Sequence, residues 1–370
     1  MKVKLSDLYD IGSSKRVFQS EWRESGVPFY RAREIAKLSD DGFVDNELFI
    51  DEELYSQYTE KYGKPETGDV MVTGVGTLGV CYVVKPEDRF YFKDGNILWF
   101  RQKAKDKILP EYLVKVFDSK EVKDFIAKNS SGTTVGTFTI QTAKKMEISL
   151  PSLDEQKKII DKIIRTESII KQRKKELQLL DTLIKARFVE MFESVQETCE
   201  VGYYVKSLIA GKSLAGELEC ENKVLKTGAV SFDYFDVSQM KNLPVGYKPQ
   251  KEHLVNAGDI IISRMNTAEL TGAAAYVWSV PEKVYIPDRL WKVVLEEKCN
   301  PIFVWQMLIQ PSTKEQIKRE CSGTSGSMKN ISKAGLLGIK VKKVHIDMQN
   351  QFADFVKQID KSKLKKFSAA

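Results

Sequence analysis

The sequence predicts an α+β fold built twice: two tandem, similar domains, each a mixed or antiparallel sheet with flanking helices, separated by long helices that pair as an antiparallel coiled coil. Three observations predict it. They are an internal repeat, an unbroken amphipathic stretch after Pro151, and short strand-like runs that do not alternate regularly with helices.

The repeat has a period of roughly 190 residues. Thr67-Gly68-Asp69-Val70-Met71-Val72 recurs as Ala257-Gly258-Asp259-Ile260-Ile261-Ile262, a turn followed by an apolar strand. Leu109-Pro110-Glu111-Tyr112-Leu113 recurs as Asn300-Pro301-Ile302-Phe303-Val304, each opening an apolar pattern at helical spacing. Ser131-Gly132-Thr133 recurs as Ser322-Gly323-Thr324, and Leu153-Asp154-Glu155-Gln156 as Ile346-Asp347-Met348-Gln349. Four matches in the same order imply one unit written twice, each copy a mixed domain followed by a helix.

After Pro151, with Ser152 or Asp154 as N-cap, about 40 residues run to Phe192 without Gly or Pro. Ile163, Ile170, Leu177, Ile184 and Met191 recur every seven residues, and Leu180 and Phe188 add to the same side. A strict heptad keeps one stripe facing a partner helix as a left-handed coiled coil. At 1.5 Å per residue the helix spans roughly 60 Å and should act as a spacer. The second copy starts alike, with Phe352, Val356 and Ile359 on its apolar side, but stops near Phe367. It can cover only about half of the first helix, so the rest of the stripe needs another chain.

Runs rich in Val, Ile, Tyr and Phe at 69–73, 80–84, 97–100, 260–263, 274–278 and 290–295 read as strands, and 111–128 and 302–320 as helices. They do not follow a βαβα order, which disfavours a doubly wound sheet. The expected organisation is a first domain at 1–150, a spacer helix at 151–195, a second domain at 196–343 and a short C-terminal helix at 344–370.

At 42% hydrophobic and 29% charged, the chain can bury two cores. Neither a membrane span nor a signal peptide is expected. Five scattered cysteines without a C-x-x-C pair argue against disulfides or a thiolate zinc site and point to the cytoplasm. With two distant histidines, His253 and His345, histidine-based catalysis is disfavoured. The net charge is +7 although 38–60 holds eight acids and no base, so the surface elsewhere is basic and suits a polyanion.

Three local motifs carry less weight. Gly74-Val75-Gly76-Thr77-Leu78-Gly79 matches G-x-G-x-x-G, but a dinucleotide or S-adenosylmethionine site needs a helix after the last glycine, and Val80-Cys81-Tyr82-Val83-Val84 is strand-like. The stretch reads as a strand-to-strand loop. Pro287-Asp288 with Glu296-Glu297-Lys298 resembles a metal-dependent nuclease arrangement that the first copy lacks; a strand with surface charges is preferred. Asn300-Pro301-Ile302-Phe303 lacks the second proline of an amino-methyltransferase tetrad.

What remains are loops of small hydroxyl residues, glycine and basic groups at 130–138 and 322–330. Backbone N–H and hydroxyl groups there can contact phosphates, while Arg, Lys, Asn and Gln read base edges. The candidate DNA contacts are Arg31, Arg33, Thr73, Thr77, Thr133, Thr134 and Gln141 in the first copy, and Arg264, Asn266, Thr324, Ser325, Lys329 and Asn330 in the second. No catalytic or metal-binding residue is assigned.

The whole pattern resembles the specificity subunit of type I restriction-modification enzymes. The similar features are paired Gly-Asp-apolar strands, Ser-Gly-Thr loops, Leu-Pro-Ser-Leu-Asp-Glu-Gln-Lys-Lys-Ile-Ile ahead of the long helix, and Ala186-Arg187-Phe188-Val189-Glu190-Met191-Phe192 at its end. The resemblance implies two target-recognition domains on double-stranded DNA, each binding half of a split target, with the helices fixing the gap. It implies docking of modification (methyltransferase) subunits, two of them, and of restriction/translocase subunits. S-adenosylmethionine, ATP and Mg would belong to those partners, and this chain would be a reader without an active site. The short C-terminal helix departs from the family pattern. A stand-alone DNA methyltransferase and a coiled-coil scaffold without DNA binding are the competing readings.

Overall fold

The computed structural model describes residues 2–130, 136–322 and 328–367, the side chains through 360. The chain divides into two compact units, Met1–Gln172 and Arg173–Ala370.

In the first unit, a four-stranded antiparallel sheet has Val70–Thr73 at its centre, between Ile97–Gln102 and Cys81–Val83, with Tyr9–Gly12 outside Ile97–Gln102. All four central residues are buried, as expected of an apolar run covered on both faces. One face packs on helices Pro110–Phe117 and Lys120–Asn129 through Val70, Val72, Leu98, Phe100, Leu113 and Phe117. The other packs on helix Ala32–Asp41 through Met71, Trp99 and Ile35. A smaller sheet sets Val27–Tyr30 between Phe49–Ile50, antiparallel, and Tyr91–Phe92, parallel. Lys2–Lys4 pairs with Glu147–Ser149 just before the long helix.

The second unit repeats this plan strand for strand. Ile260–Ser263 is central between Leu290–Leu295 and Ala274–Tyr276, with Val205–Ala210 outside. Lys223–Leu225 pairs antiparallel with Met240–Asn242 and parallel with Val284–Tyr285, and Thr198–Glu200 pairs with Lys340–Lys342. Each expected strand is present within one or two residues. The helical stretches expected at 111–128 and 302–320 are each two helices. Ser119 caps a new helix by accepting from Val122 N, and Pro311, which lacks an N–H, begins Pro311–Glu320.

The duplication extends to individual hydrogen bonds. Gly68 and Gly258, at φ 91° and 97°, donate to Val84 O and Val277 O at 2.9 and 2.8 Å. The Asp69 and Asp259 carboxylates accept from the backbone of Glu66 and Asn256 at 3.0 and 2.8 Å. Gly79 and Gly272 close the turn after the central strand at φ 77° and 80°, donating to Thr73 O and Ser263 O. A Cβ there would stand 2.7 Å from Ile126 Cδ1 or 2.5 Å from Ile317 Cγ2. Strained backbone and crowding add, so Gly79→Ala and Gly272→Ala should each cost about 2 kcal/mol. Urea unfolding of the full chain measures this.

The helix Leu153–Phe192 is continuous over 40 residues, and the boundary between units falls inside it. Ser152 and Glu155 cap it reciprocally. In the second unit its end pairs with Ile346–Phe367: Phe192 and Phe188 meet Phe352 with centroids 5.6 and 5.3 Å apart, and Arg187 covers Phe355. Ile184 and Val356 join the same core. The two helices therefore run antiparallel. Of the expected seam, Leu177, Leu180, Met191 and Ile359 are half-buried, whereas Ile163 is partly covered and Ile170 is 50% exposed. No helix of the described residues is long and apolar enough to cross a membrane.

Candidate nucleic-acid interface

The second unit gathers four of its candidate contacts into one ribbon. Beyond the central strand, Met265–Asn266 pairs antiparallel with Lys329–Asn330, Met265 opposite Asn330 and Asn266 opposite Lys329. Arg264 anchors the entry, donating from its N to Arg289 O at 3.1 Å and accepting at its O from Ile331 N at 3.0 Å. Its guanidinium lies 5.5 Å from the centroid of the Trp291 ring, a cation–π placement that holds the side chain without neutralising it. Arg264 Nε and Asn330 Oδ1 are buried without a protein partner. Such groups cost free energy until an acceptor or donor arrives. Asn266 Oδ1 accepts from Thr267 N at 2.8 Å, and the Thr271 hydroxyl bonds to Thr267 O at 2.9 Å, stiffening the turn. Trp291, the platform under Arg264, was missed by sequence reasoning because it reads as an ordinary core tryptophan. Thr324 and Ser325 lie outside the described residues.

The first unit has the same scaffold with different side chains. Gly74 stands where Arg264 does: its N donates to Asn96 O at 2.8 Å, and its O accepts from Phe138 N at 2.9 Å. A Cβ at Gly74 would approach Leu98 Cδ1 to 2.6 Å and Phe138 O to 2.9 Å, so no side chain fits. Residues 74–79 form the expected strand-to-strand loop, joining Val70–Thr73 to Cys81–Val83. Thr77 is exposed at its tip. Thr73, expected as a contact, is instead buried: its hydroxyl donates to Thr77 O and accepts from Val80 N at 3.0 Å, closing the loop. Gln141 is exposed on the helix Ile140–Lys145, beside exposed Lys144 and Lys145. Thr133 and Thr134 lie outside the described residues.

Arg31 and Arg33 belong to a different arrangement. Arg31 N, Nε and Nη2 all donate to the Glu34 carboxylate, at 2.9, 3.1 and 2.8 Å, and Arg33 Nε adds a bond at 2.9 Å while its Nη2 reaches Glu47 at 3.0 Å. Burial works against the charge of Glu34, but these hydrogen bonds outweigh it and hold the carboxyl below the usual carboxylate range. Both arginines pair with this buried acid at the start of helix Ala32–Asp41, with Arg31 partly covered and Arg33 58% exposed.

The other motifs resolve as structural. Asp288 accepts from the Ser213 hydroxyl, and Asn300 caps its helix by accepting from Ile302 N at 3.0 Å. Among the described residues no group of three or more His, Cys, Asp or Glu could hold a metal ion.

With this geometry in view, residues 1–179 match the family described as type I restriction modification DNA specificity domain. The match covers just under half of the chain. The second unit repeats the fold of the first. A type I restriction enzyme specificity subunit of Haemophilus influenzae is 29% identical over 168 residues, 45% of this chain and 40% of the relative. The MjaVIII specificity subunit of Methanocaldococcus jannaschii is 23% identical over 279 residues, 69% of this chain and 65% of the relative. The matching segment thus spans less than two thirds of either relative. Among solved structures, the specificity subunit from M. genitalium aligns over 100% of this chain and 92% of its own, at 14% identity and a TM-score of 0.51. A structure described in terms of complex assembly and conformational transition of the type I system gives 15% identity and a TM-score of 0.59 over 100% and 92%. The fold is that of specificity subunits.

Proposed function

We propose that this chain is the DNA-reading subunit of a type I restriction-modification complex. Each unit binds one half of a bipartite target, and the long helix sets the gap between the halves. Modification and restriction subunits dock on the helices, and S-adenosylmethionine, ATP and Mg chemistry resides with them in the cytoplasm. The chain itself supplies recognition and no catalytic group.

The observation that carries this reading is the pairing of one backbone scaffold with two different side chains at its reading edge. Gly74 and Arg264 make the same two main-chain hydrogen bonds, yet one position admits no side chain and the other presents a stacked guanidinium. A single-purpose scaffold has no reason to vary there, whereas a reader of two unlike half-sites does.

Mapping methylated adenines in cells with and without the chain, co-expressed with its modification subunits, tests the proposal. One split sequence should be methylated only when the chain is present; no change in the methylation map overturns it. A finer test uses Arg264→Ala and Lys329→Ala. Each should lower discrimination in the second half-site about tenfold, in line with 1–3 kcal/mol for a base-edge contact, and leave the first unchanged. Competition binding with singly altered half-sites reads this, and equal loss in both halves refutes separate readout.

A further inference from the structure

Four arginines of the described residues lie against an aromatic ring: Arg89 on Tyr55, Arg101 on Trp99, Arg187 on Phe355 and Arg264 on Trp291. The first three also pair with an acid, respectively Glu52, Asp10 and Glu190. Arg264 differs. Among the described residues its guanidinium makes neither an ion pair nor a hydrogen bond, and its Nε is buried. The main-chain bonds to Arg289 and Ile331 fix its Cα, and the ring 5.5 Å away fixes the guanidinium. The side chain is therefore held in direction while its donors are left uncommitted.

As packing alone, Trp291 is a costly choice. It is 1% exposed, and its Nε1 is buried with no hydrogen-bond partner, an orphan donor that destabilises the fold. The first unit shows that the position does not require it. Trp291 lies opposite Ile262, and Leu98 lies opposite Val72, the same place in the first central strand. Next to Leu98 the chain has Gly74 where the second unit has Arg264. Arginine and tryptophan thus occur together in one unit and are both replaced in the other, which ties the tryptophan to the arginine rather than to the core.

We propose that Trp291 aims Arg264 at a guanine of the second half-site, whose O6 and N7 on the major-groove edge accept from the guanidinium fork. This rests on the DNA-reading function proposed above. A phosphate contact needs charge alone, whereas a bidentate pair with a base edge needs a planar fork of fixed direction. The stack supplies that direction, and no acid competes for the donors. Trp291, being buried, acts as a positioning residue. The first unit, with Gly74, reads no base from this position.

The test uses the full chain with its modification subunits and duplexes carrying the split target defined by the methylation map. Each guanine of the second half-site is replaced singly by 7-deazaguanine, which pairs normally but lacks the N7 acceptor. One replacement should weaken binding by the native chain about tenfold and leave Arg264→Gly, which copies the first unit, unaffected. Trp291→Leu should cut the preference for that guanine over adenine about fivefold, and Trp291→Phe, which keeps a ring face, should retain most of it. Recognition of the first half-site and the salt dependence of binding should stay as they are. If Trp291→Leu also weakens recognition of every other base pair in the second half-site, the Arg264→Gly and Trp291→Phe results decide. Equal sensitivity of the native chain and Arg264→Gly at every guanine overturns the proposal. So does a uniform loss across sequences with a shallower salt dependence, the mark of a phosphate contact. Absence of any split target overturns the DNA-reading function and this inference with it; a split target without an Arg264-dependent guanine overturns this inference alone.

Discussion

Gln156→Leu is expected to lower the unfolding free energy of the first unit by about 3 kcal/mol, and Gln349→Leu that of the second by a similar amount. Both glutamines are buried one turn into their helices, and each ties the helix to the loop ahead of the helix that covers the main sheet. Gln156 Oε1 accepts from Leu109 N at 2.9 Å, while Nε2 donates to Lys107 O at 2.7 Å and Pro151 O at 2.9 Å. Gln349 Oε1 accepts from Asn300 N at 2.9 Å, and Nε2 donates to Val344 O at 2.8 Å. Leucine fills the volume but satisfies none of these groups. At about 1 kcal/mol for each lost bond and more for a buried orphan, the cost reaches the value given. Hydrogen exchange separates the two sites: Gln156→Leu should speed exchange at the Leu109 amide alone, and Gln349→Leu at the Asn300 amide alone. Unchanged exchange at both would show that the side-chain clips do not hold the helices. In the proposed function the same clips fix the direction in which each helix leaves its domain, so these variants should also blur the preferred gap.

The repeat was legible because its central strands, Val70–Thr73 and Ile260–Ser263, are fully buried runs and its turns need glycine at positive φ, two signals that survive in a single sequence. The long helix was legible for the same reason: nothing between Leu153 and Phe192 breaks it. The smaller sheets were not, since strands such as Phe49–Ile50 and Tyr91–Phe92 are too short to show a period of two. The correspondence of Gly79 with Gly272 was hidden by the different residues between each glycine and its strand, and only their matched contacts with Ile126 and Ile317 expose it. Side-chain roles were the least legible. Arg31 and Arg33 read as free cations until the fold buries Glu34 beside them. Thr73 reads as a loop hydroxyl until its turn folds back onto it. The stack of Arg264 on Trp291 was hidden too, because register across the sheet, not spacing along the chain, brings them together. What a spacing pattern cannot encode is which partners the rest of the chain brings.

If each unit reads one half-site as proposed, inserting Ala-Glu-Ala-Lys between Lys171 and Gln172 is expected to reduce affinity for the split target about 100-fold and to transfer preference to a target with a wider gap. Both flanking residues are exposed, and the insertion falls at the boundary between units. It leaves the first unit's helix contacts at Gln156 and Ile160 and the second unit's at Ile184 and Phe188 untouched. Four helical residues add about 6 Å of rise and a little over one turn. Since base pairs stack about 3.4 Å apart, the preferred gap should widen by about two. The loss on the native target follows from effective concentration: when the spacer no longer matches the span, the second half-site stops adding its share, which for a linked pair is worth 10²–10⁴ in affinity. Selection from a library of targets with fixed half-sites and randomised gap length measures the shift directly. Half-site sequences should be unchanged. A gap that stays the same after the insertion would mean that the helix does not set the spacing, and a change in half-site sequence would mean that the two readers are not independent of it.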